Sequence, residues 1–198
     1  MKVLVACEFS GRVRDAFLKK GHEAISCDIL PTEVPGPHYQ GDVADILHTE
    51  SWDLIIAHPP CTYLAKSGVR WLGQEGSDRW QKMVEAAAFF NLFLAHPCKK
   101  VCIENPVMHR YAKSKLLIPH YSQKTQPYFH GHPERKATCL WLKGLPLLQA
   151  TGNVSLLMIG QAKGSINKVH WEPPGRERQK NRSRTFHGIA KAMADQWG

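Results

Sequence analysis

The sequence predicts an α/β protein: a mostly parallel sheet with helices on both faces. Two observations predict it. Short, wholly apolar runs alternate with helical patterns through the first half of the chain, which is how buried parallel strands and their crossover helices read. Polar or conformationally special residues follow directly on those runs, at the carboxyl ends of strands, where sheets of this kind hold ligands.

Residues 2–6 are the first such run, too short for a helix and continuous enough for a strand buried on both faces. Ser10-Gly11 breaks it. A helical spacing follows through Val13, Ala16, Phe17 and Lys20, and Gly21 closes it. Residues 23–27 form a second strand ending at Asp28. Pro31, Pro35, Gly36 and Pro37 mark a loop, and Gly41-Asp42 ends a weak third strand. Residues 53–57 are a fourth strand, running into His58-Pro59-Pro60-Cys61. The best helix spans 78–95, with Ser77 as N-cap and Met83, Ala87, Phe90 and Leu94 as its apolar face. Residues 100–103 are a fifth strand, ending at Glu104-Asn105-Pro106. Residues 138–142 and 155–159 read as later strands, and 185–197 as a closing helix. One domain over 1–198 is expected, with 120–184 as a variable segment that contacts substrate.

Composition narrows the class. Hydrophobic residues make up 43% and charged residues 22%, enough apolar surface for a packed core and unlike a disordered or fibrous chain. The 26 Lys and Arg outnumber the 17 Asp and Glu, giving a net charge of +9. That favours an anionic partner without naming it. The longest apolar stretch, 84–95, is broken by Glu85 and Asn91 and is too short to span a bilayer. The N-terminal run ends at Cys7-Glu8 and reads as a strand, not an export signal. Six cysteines lie mostly in or beside apolar runs, so reduced thiols in a cytoplasmic protein are expected. His96, Cys98 and Cys102 are close in sequence but lack a metal-ligand spacing, and no metal site is expected.

Cys61 leads the chemistry. Two prolines give a rigid, extended exit from the fourth strand and set a thiol at its tip, as a positioned nucleophile requires. Glu104, following the fifth strand, is expected exposed at the same edge, where an acid can hydrogen-bond a heterocycle under attack by the thiol. Asp28 and Asp42 suit ribose hydroxyls or an adenine amino group, while Phe9-Ser10-Gly11, with its single glycine, reads first as a turn. Tyr63 to Arg79 and Tyr121 to His132 mix aromatic and basic residues suited to base stacking. Residues 175–184, GRERQKNRSR, read as a phosphate-contacting loop.

These segments, in this order, resemble the cytosine-5 DNA methyltransferase family, as a compact, phage-like member. Glu8-Phe9-Ser10-Gly11 is similar to its first cofactor loop, Asp28 to the acid after its second strand, and Gly41-Asp42-Val43 to its third motif. Pro59-Pro60-Cys61 matches the catalytic Pro-Pro-Cys, and Glu104-Asn105-Pro106 resembles Glu-Asn-Val. Pro133-Glu134-Arg135-Lys136 loosely resembles its arginine motif. The resemblance implies a Rossmann-like class I methyltransferase sheet. It implies S-adenosylmethionine contacted by Phe9, Ser10, Gly11, Asp28, Asp42 and Pro59. It implies Cys61, Glu104 and Arg135 as catalytic residues, and a substrate held by Pro60, Tyr63, Asn105, Lys136, Arg182 and Arg184. The substrate is then cytosine, in DNA or as a free nucleotide.

This chain departs from that pattern. Arg12, Val13 and Arg14 replace further glycines after Gly11, Thr62 stands where glutamine is common, and only residues 143–184 are left for a recognition region, so a protein partner for target recognition is conceivable. A non-catalytic nucleic-acid-binding protein on the same sheet is the alternative from another class. Methylation of an exocyclic amine fits less well, since Cys61 stands where those enzymes carry an aromatic.

Overall fold

The computed structural model describes residues 1–74, 78–113, 117–173 and 175–198. Strand β1 (Lys2–Ala6) is central, and Val3, Leu4, Val5 and Ala6 are wholly buried. It pairs in parallel with β2 (Glu23–Asp28) on one side and β4 (Leu54–Ala57) on the other. The third strand, β3 (His38–Gln40), continues in parallel beyond β2, and β5 (Val101–Pro106) beyond β4. Two antiparallel strands finish the sheet: β7 (Thr138–Lys143) pairs with β5, and β6 (Gln123–Thr125) with β7. The order is β3-β2-β1-β4-β5-β7-β6. Strand order reverses between β1 and β4, which opens a crevice above their carboxyl ends.

Helices α1 (Arg12–Leu18) and α7 (His187–Trp197) cover one face, and α3 (Arg79–Ala95) covers the other. Alternation in TCLWLK shows the layering: Cys139 and Trp141 join the α3 core, Leu140 the α1/α7 core. Phe17 and Trp197 are buried in that second core, each contributing on the order of 2 kcal/mol by burial. Four short helices complete the description: α2 (Ala44–Leu47), α4 (Lys163–Ile166), α5 (Lys168–Trp171) and α6 (Arg176–Ser183).

The structure corrects several expectations. Residues 155–159 are not a strand: Ser155–Met158 is a 3-10 turn with Leu156, Leu157 and Ile159 exposed. The basic 175–184 segment is largely helix α6, not a loop. The long helix begins at Arg79, and its most buried face uses Phe93, with Leu94 only partly buried. The expected cap Ser77 lies outside the described residues. Residues 66–71 form a 3-10 helix, and 121–132 contains β6 and a 3-10 turn at Pro127–Phe129. His130, expected in a stacking surface, is buried between Thr125 and Thr151. No helix among the described residues is long and apolar enough to cross a membrane.

Candidate active site

The turn after β1 is set by Glu8. Its side chain is buried, and Oε1 accepts the Val13 N–H at 2.8 Å and the Ser10 hydroxyl at 3.1 Å, while Oε2 accepts the Arg14 N–H at 3.3 Å. A carboxylate thus fills the N-terminus of α1, where a phosphate would otherwise bind. The backbone turns sharply here: Cys7 has φ 58° and Gly11 φ 70°. A side chain at Gly11 would be strained and would press on Arg14 and Val34. Phe9 is buried, and its carbonyl accepts the Glu33 N–H at 2.9 Å.

Arg14, on α1, is wholly buried. Its guanidinium pairs with Asp15 at 2.8 Å, donates to Ser26 and Thr32 at 3.2 Å, and donates to the Val34 carbonyl at 3.2 Å. It therefore bolts the loop after β2 onto the sheet. Asp28 ends β2 half-buried, its Oδ1 accepting the Leu30 N–H at 2.9 Å. Burial raises the Asp28 pKa above the ordinary aspartate value, against the lowering effect of that N–H and of His38 and His58. Asp42 is exposed, and its Oδ1 accepts the Ala44 N–H at 2.9 Å just before α2.

The tips of β4 and β5 carry the other groups. His58 continues β4, its N–H bonding to the Ala6 carbonyl at 2.9 Å. Pro59 is buried, Pro60 exposed and Cys61 half-buried. The Cys61 carbonyl accepts the N–H groups of Leu64 and Ala65, closing a turn under the thiol. Asn105 Nδ2 donates to the Pro59 carbonyl at 2.7 Å and ties the Pro-Pro segment to β5. Its Oδ1 is buried with no partner among the described residues.

Glu104 lies within β5 and is only 8% exposed, so the expectation of a solvated strand-end acid is corrected. Antiparallel pairing with β7 carries the strand past the apolar run: Pro106 lies opposite Thr138. Glu104 Oε2 accepts a hydrogen bond from His58 Nδ1 at 2.7 Å, both side chains under a tenth exposed. Burial opposes the charged form of each, yet the pairing prevails. His58 is raised above the ordinary histidine value by Glu104, and Glu104 is lowered by His58, with Lys136 and Thr138 helping. Both shifts favour the imidazolium–carboxylate form of the pair.

Cys61 feels burial first, which raises its pKa; Arg182 and Lys136 lower it, and Glu104 raises it. Burial lowers Lys136, while Glu104 and Cys61 pull it up. The thiol, the acid and two cations therefore share one neighbourhood. Arg135 does not supply the cation described there; it is exposed and lines a cavity of about 440 Å³ with Gln126, Tyr128 and Phe129. Tyr63 and Pro60 line another, of about 370 Å³, beside Lys82 and Phe89. The Arg79 guanidinium stacks 5.0 Å over the Tyr63 ring.

Arg184 is placed elsewhere. It pairs with Glu33, Nε to Oε2 at 2.8 Å, and its guanidinium lies 5.9 Å from the Phe9 ring. Lys136 Nζ donates to the Arg184 carbonyl and Arg12 to the Thr185 carbonyl, each at 3.0 Å. Residues 184–185 thus strap the C-terminal segment across the cofactor-loop side of the crevice. His58 is a residue of this site that sequence reading did not single out. Its place in His-Pro-Pro-Cys was visible, but its partner lies 46 positions away.

No protein-family profile and no curated protein matches the sequence. Solved structures do. One is a protein assigned as a DNA modification methyltransferase encoded within a prophage of E. coli. It is 16% identical, with a TM-score of 0.51 over 82% of this chain and 56% of that one. Another is a methyltransferase from Entamoeba histolytica, 14% identical, with a TM-score of 0.45 over 83% and 62%. The chain spans about six-tenths of the length of these two proteins. The sheet order, its helices on both faces and the first of these likenesses agree on the fold: the chain has a mostly parallel, Rossmann-like class I methyltransferase sheet.

Proposed function

We propose that the protein transfers a methyl group from S-adenosylmethionine to carbon 5 of cytosine in a nucleic acid, DNA foremost. The observation that carries this is that Cys61 follows β4 while Glu104 lies in its paired neighbour β5, with Lys136 acting on the charge of both and Arg182 on that of Cys61. A binding protein has no chemical need for a thiol and a buried acid together.

The residues of the crevice fit the cofactor. Glu8 occupies the helix N-terminus and leaves no phosphate cradle, while Asp28 and Asp42 offer acceptors for hydroxyl and amino groups. Phe9, Ser10, Gly11 and Pro59 would form the wall between them. When bound, that cofactor supplies an electrophilic methyl group.

The chain's own residues do the rest. Lys136 and Arg182 favour the Cys61 thiolate against its burial, and the thiolate adds to carbon 6 of the base. Glu104 contacts ring nitrogen 3, where electron density gathers as the bond forms. Carbon 5 becomes nucleophilic and is methylated. Water removes the carbon 5 proton, the sulfur–carbon bond breaks, and Cys61 leaves as thiolate. On a duplex the base must leave the stack. Pro60, Tyr63 and Asn105 border the position it would take, and the fork of Arg135 suits a flanking phosphate.

The non-catalytic alternative rests on one observation: burial alone would leave Cys61 a protonated, inert thiol. The test offers S-adenosylmethionine bearing a heavy methyl group with duplex DNA, single-stranded DNA, RNA or free cytosine nucleotides, then reads nucleosides by mass spectrometry. Heavy 5-methylcytosine supports the proposal. Nucleic-acid binding with no label in any pool supports the alternative.

A further inference from the structure

The mechanism above leaves one buried group unused, and one of its proton movements unsupplied. His58 sits at the tip of β4, three residues before Cys61, with Nδ1 2.7 Å from the carboxylate assigned to the base. Its Nε2 is buried with no partner among the described residues. Glu104 comes from β5, and is also bordered by Lys136 and Thr138 ahead of and within β7. A carboxylate so placed accepts hydrogen bonds but has no proton of its own to give. Addition of sulfur to carbon 6 nevertheless demands one. The carbon 5–carbon 6 π pair moves to carbon 4–carbon 5, the carbon 4–nitrogen 3 π pair moves onto nitrogen 3, and that nitrogen must be protonated.

We propose that His58 is the positioning residue of Glu104 and stores the proton that Glu104 passes to ring nitrogen 3. The inference rests on the reading of Cys61 and Glu104 given above. As the sulfur–carbon bond forms, the Nδ1 proton crosses to Glu104 Oε2, and the carboxylic acid so formed turns to pass that one proton to nitrogen 3, which leaves Glu104 a carboxylate again. His58 ends neutral and the base neutral at that nitrogen. When Cys61 leaves, nitrogen 3 returns its proton along the same path, so the pair is restored in each turnover. The groups facing His58 suit this store: Glu104 from β5 and Glu8 from the turn after β1 favour its charge, and Lys136, before β7, opposes it. A buried ion pair of this kind is a poor device for stability, since well-packed apolar residues of similar volume often do as well or better.

Two measurements test it on the full-length protein. The first needs no turnover: the side chains are labelled with ¹⁵N-histidine and His58 is titrated by NMR, assigned with the His58→Asn variant. A proton retained to a pH above that of an ordinary histidine, and lost earlier in Glu104→Gln, is the expected result. A His58 that is neutral at pH 7 overturns the proposal. The second is the pH profile of methyl transfer onto whichever cytosine pool is labelled. His58→Asn keeps an N–H near the Nδ1 position and so preserves the hydrogen bond without the store. It should lower the rate roughly 100-fold or more and abolish the alkaline limb set by the pair. His58→Gln and thermal melts of each variant identify a folding defect, and imidazole added to His58→Ala should restore part of the rate. Normal transfer with the wild-type pH profile in His58→Asn sinks this inference and leaves the Cys61 reading standing. No transfer at any pH by the wild type sinks both.

Discussion

Replacing Glu8 by glutamine changes one atom and should cost far more than a surface substitution. The carboxylate is 5% exposed and accepts three hydrogen bonds, from Val13, Arg14 and Ser10. The amide oxygen of glutamine can keep the Val13 and Ser10 bonds, without charge assistance. Its NH₂ then meets the Arg14 N–H, donor against donor, and leaves that buried group unpaired at a cost of about 1–3 kcal/mol. Losing the negative charge at the start of α1 costs about another 0.3–1 kcal/mol. The sum is about 1–4 kcal/mol, or roughly 3–15 °C in Tm for a chain of this size. Urea unfolding followed by far-UV circular dichroism measures it, with the m-value checked for constancy. A change under about 0.5 kcal/mol at constant m would refute the claim that Glu8 organises this turn.

Other substitutions separate the roles assigned to the crevice. Asp28→Ala should weaken S-adenosylmethionine binding in calorimetry by roughly 10- to 100-fold, the worth of a charged acceptor lost from a hydroxyl pair. Since burial raises the Asp28 pKa, wild-type affinity should begin to fall on acidification at a higher pH than for an ordinary aspartate; unchanged binding would remove Asp28 from the pocket. Arg182→Ala should lower the salt slope of DNA binding by about 1. Arg184→Ala should leave that slope unchanged, because its guanidinium is held by Glu33, and should cost only about 1 kcal/mol or less of stability as a partly exposed pair.

The elements most legible in the sequence were those governed by a simple period. The buried parallel strands at 2–6, 23–27 and 53–57 appear within a residue of their expected positions, since continuous burial needs continuous apolar runs. The same rule misread 155–159, whose leucines lie exposed in a 3-10 turn. Helix α6 was invisible because RERQKNRS has no apolar stripe for periodicity to detect. Glu104 was expected at a solvated edge, because the extra length of β5 comes from β7, more than thirty positions later, and not from its own residues. Arg14 and His58 show the same limit: each is buried by partners distant in sequence, and no local pattern announces a charge that will be satisfied inside the fold.

The central claim is the covalent role of Cys61, and a trapping experiment tests it most directly. A DNA oligonucleotide carrying 5-fluorocytosine is incubated with the protein and S-adenosylmethionine. Fluorine at carbon 5 cannot leave as a proton does, so the sulfur–carbon 6 bond persists. The account predicts an intact mass equal to protein plus oligonucleotide plus one methyl group, mapped by peptide sequencing to Cys61 and absent in Cys61→Ser. Transfer of a methyl group to ordinary cytosine with no such adduct, or with full activity in Cys61→Ser, would contradict it.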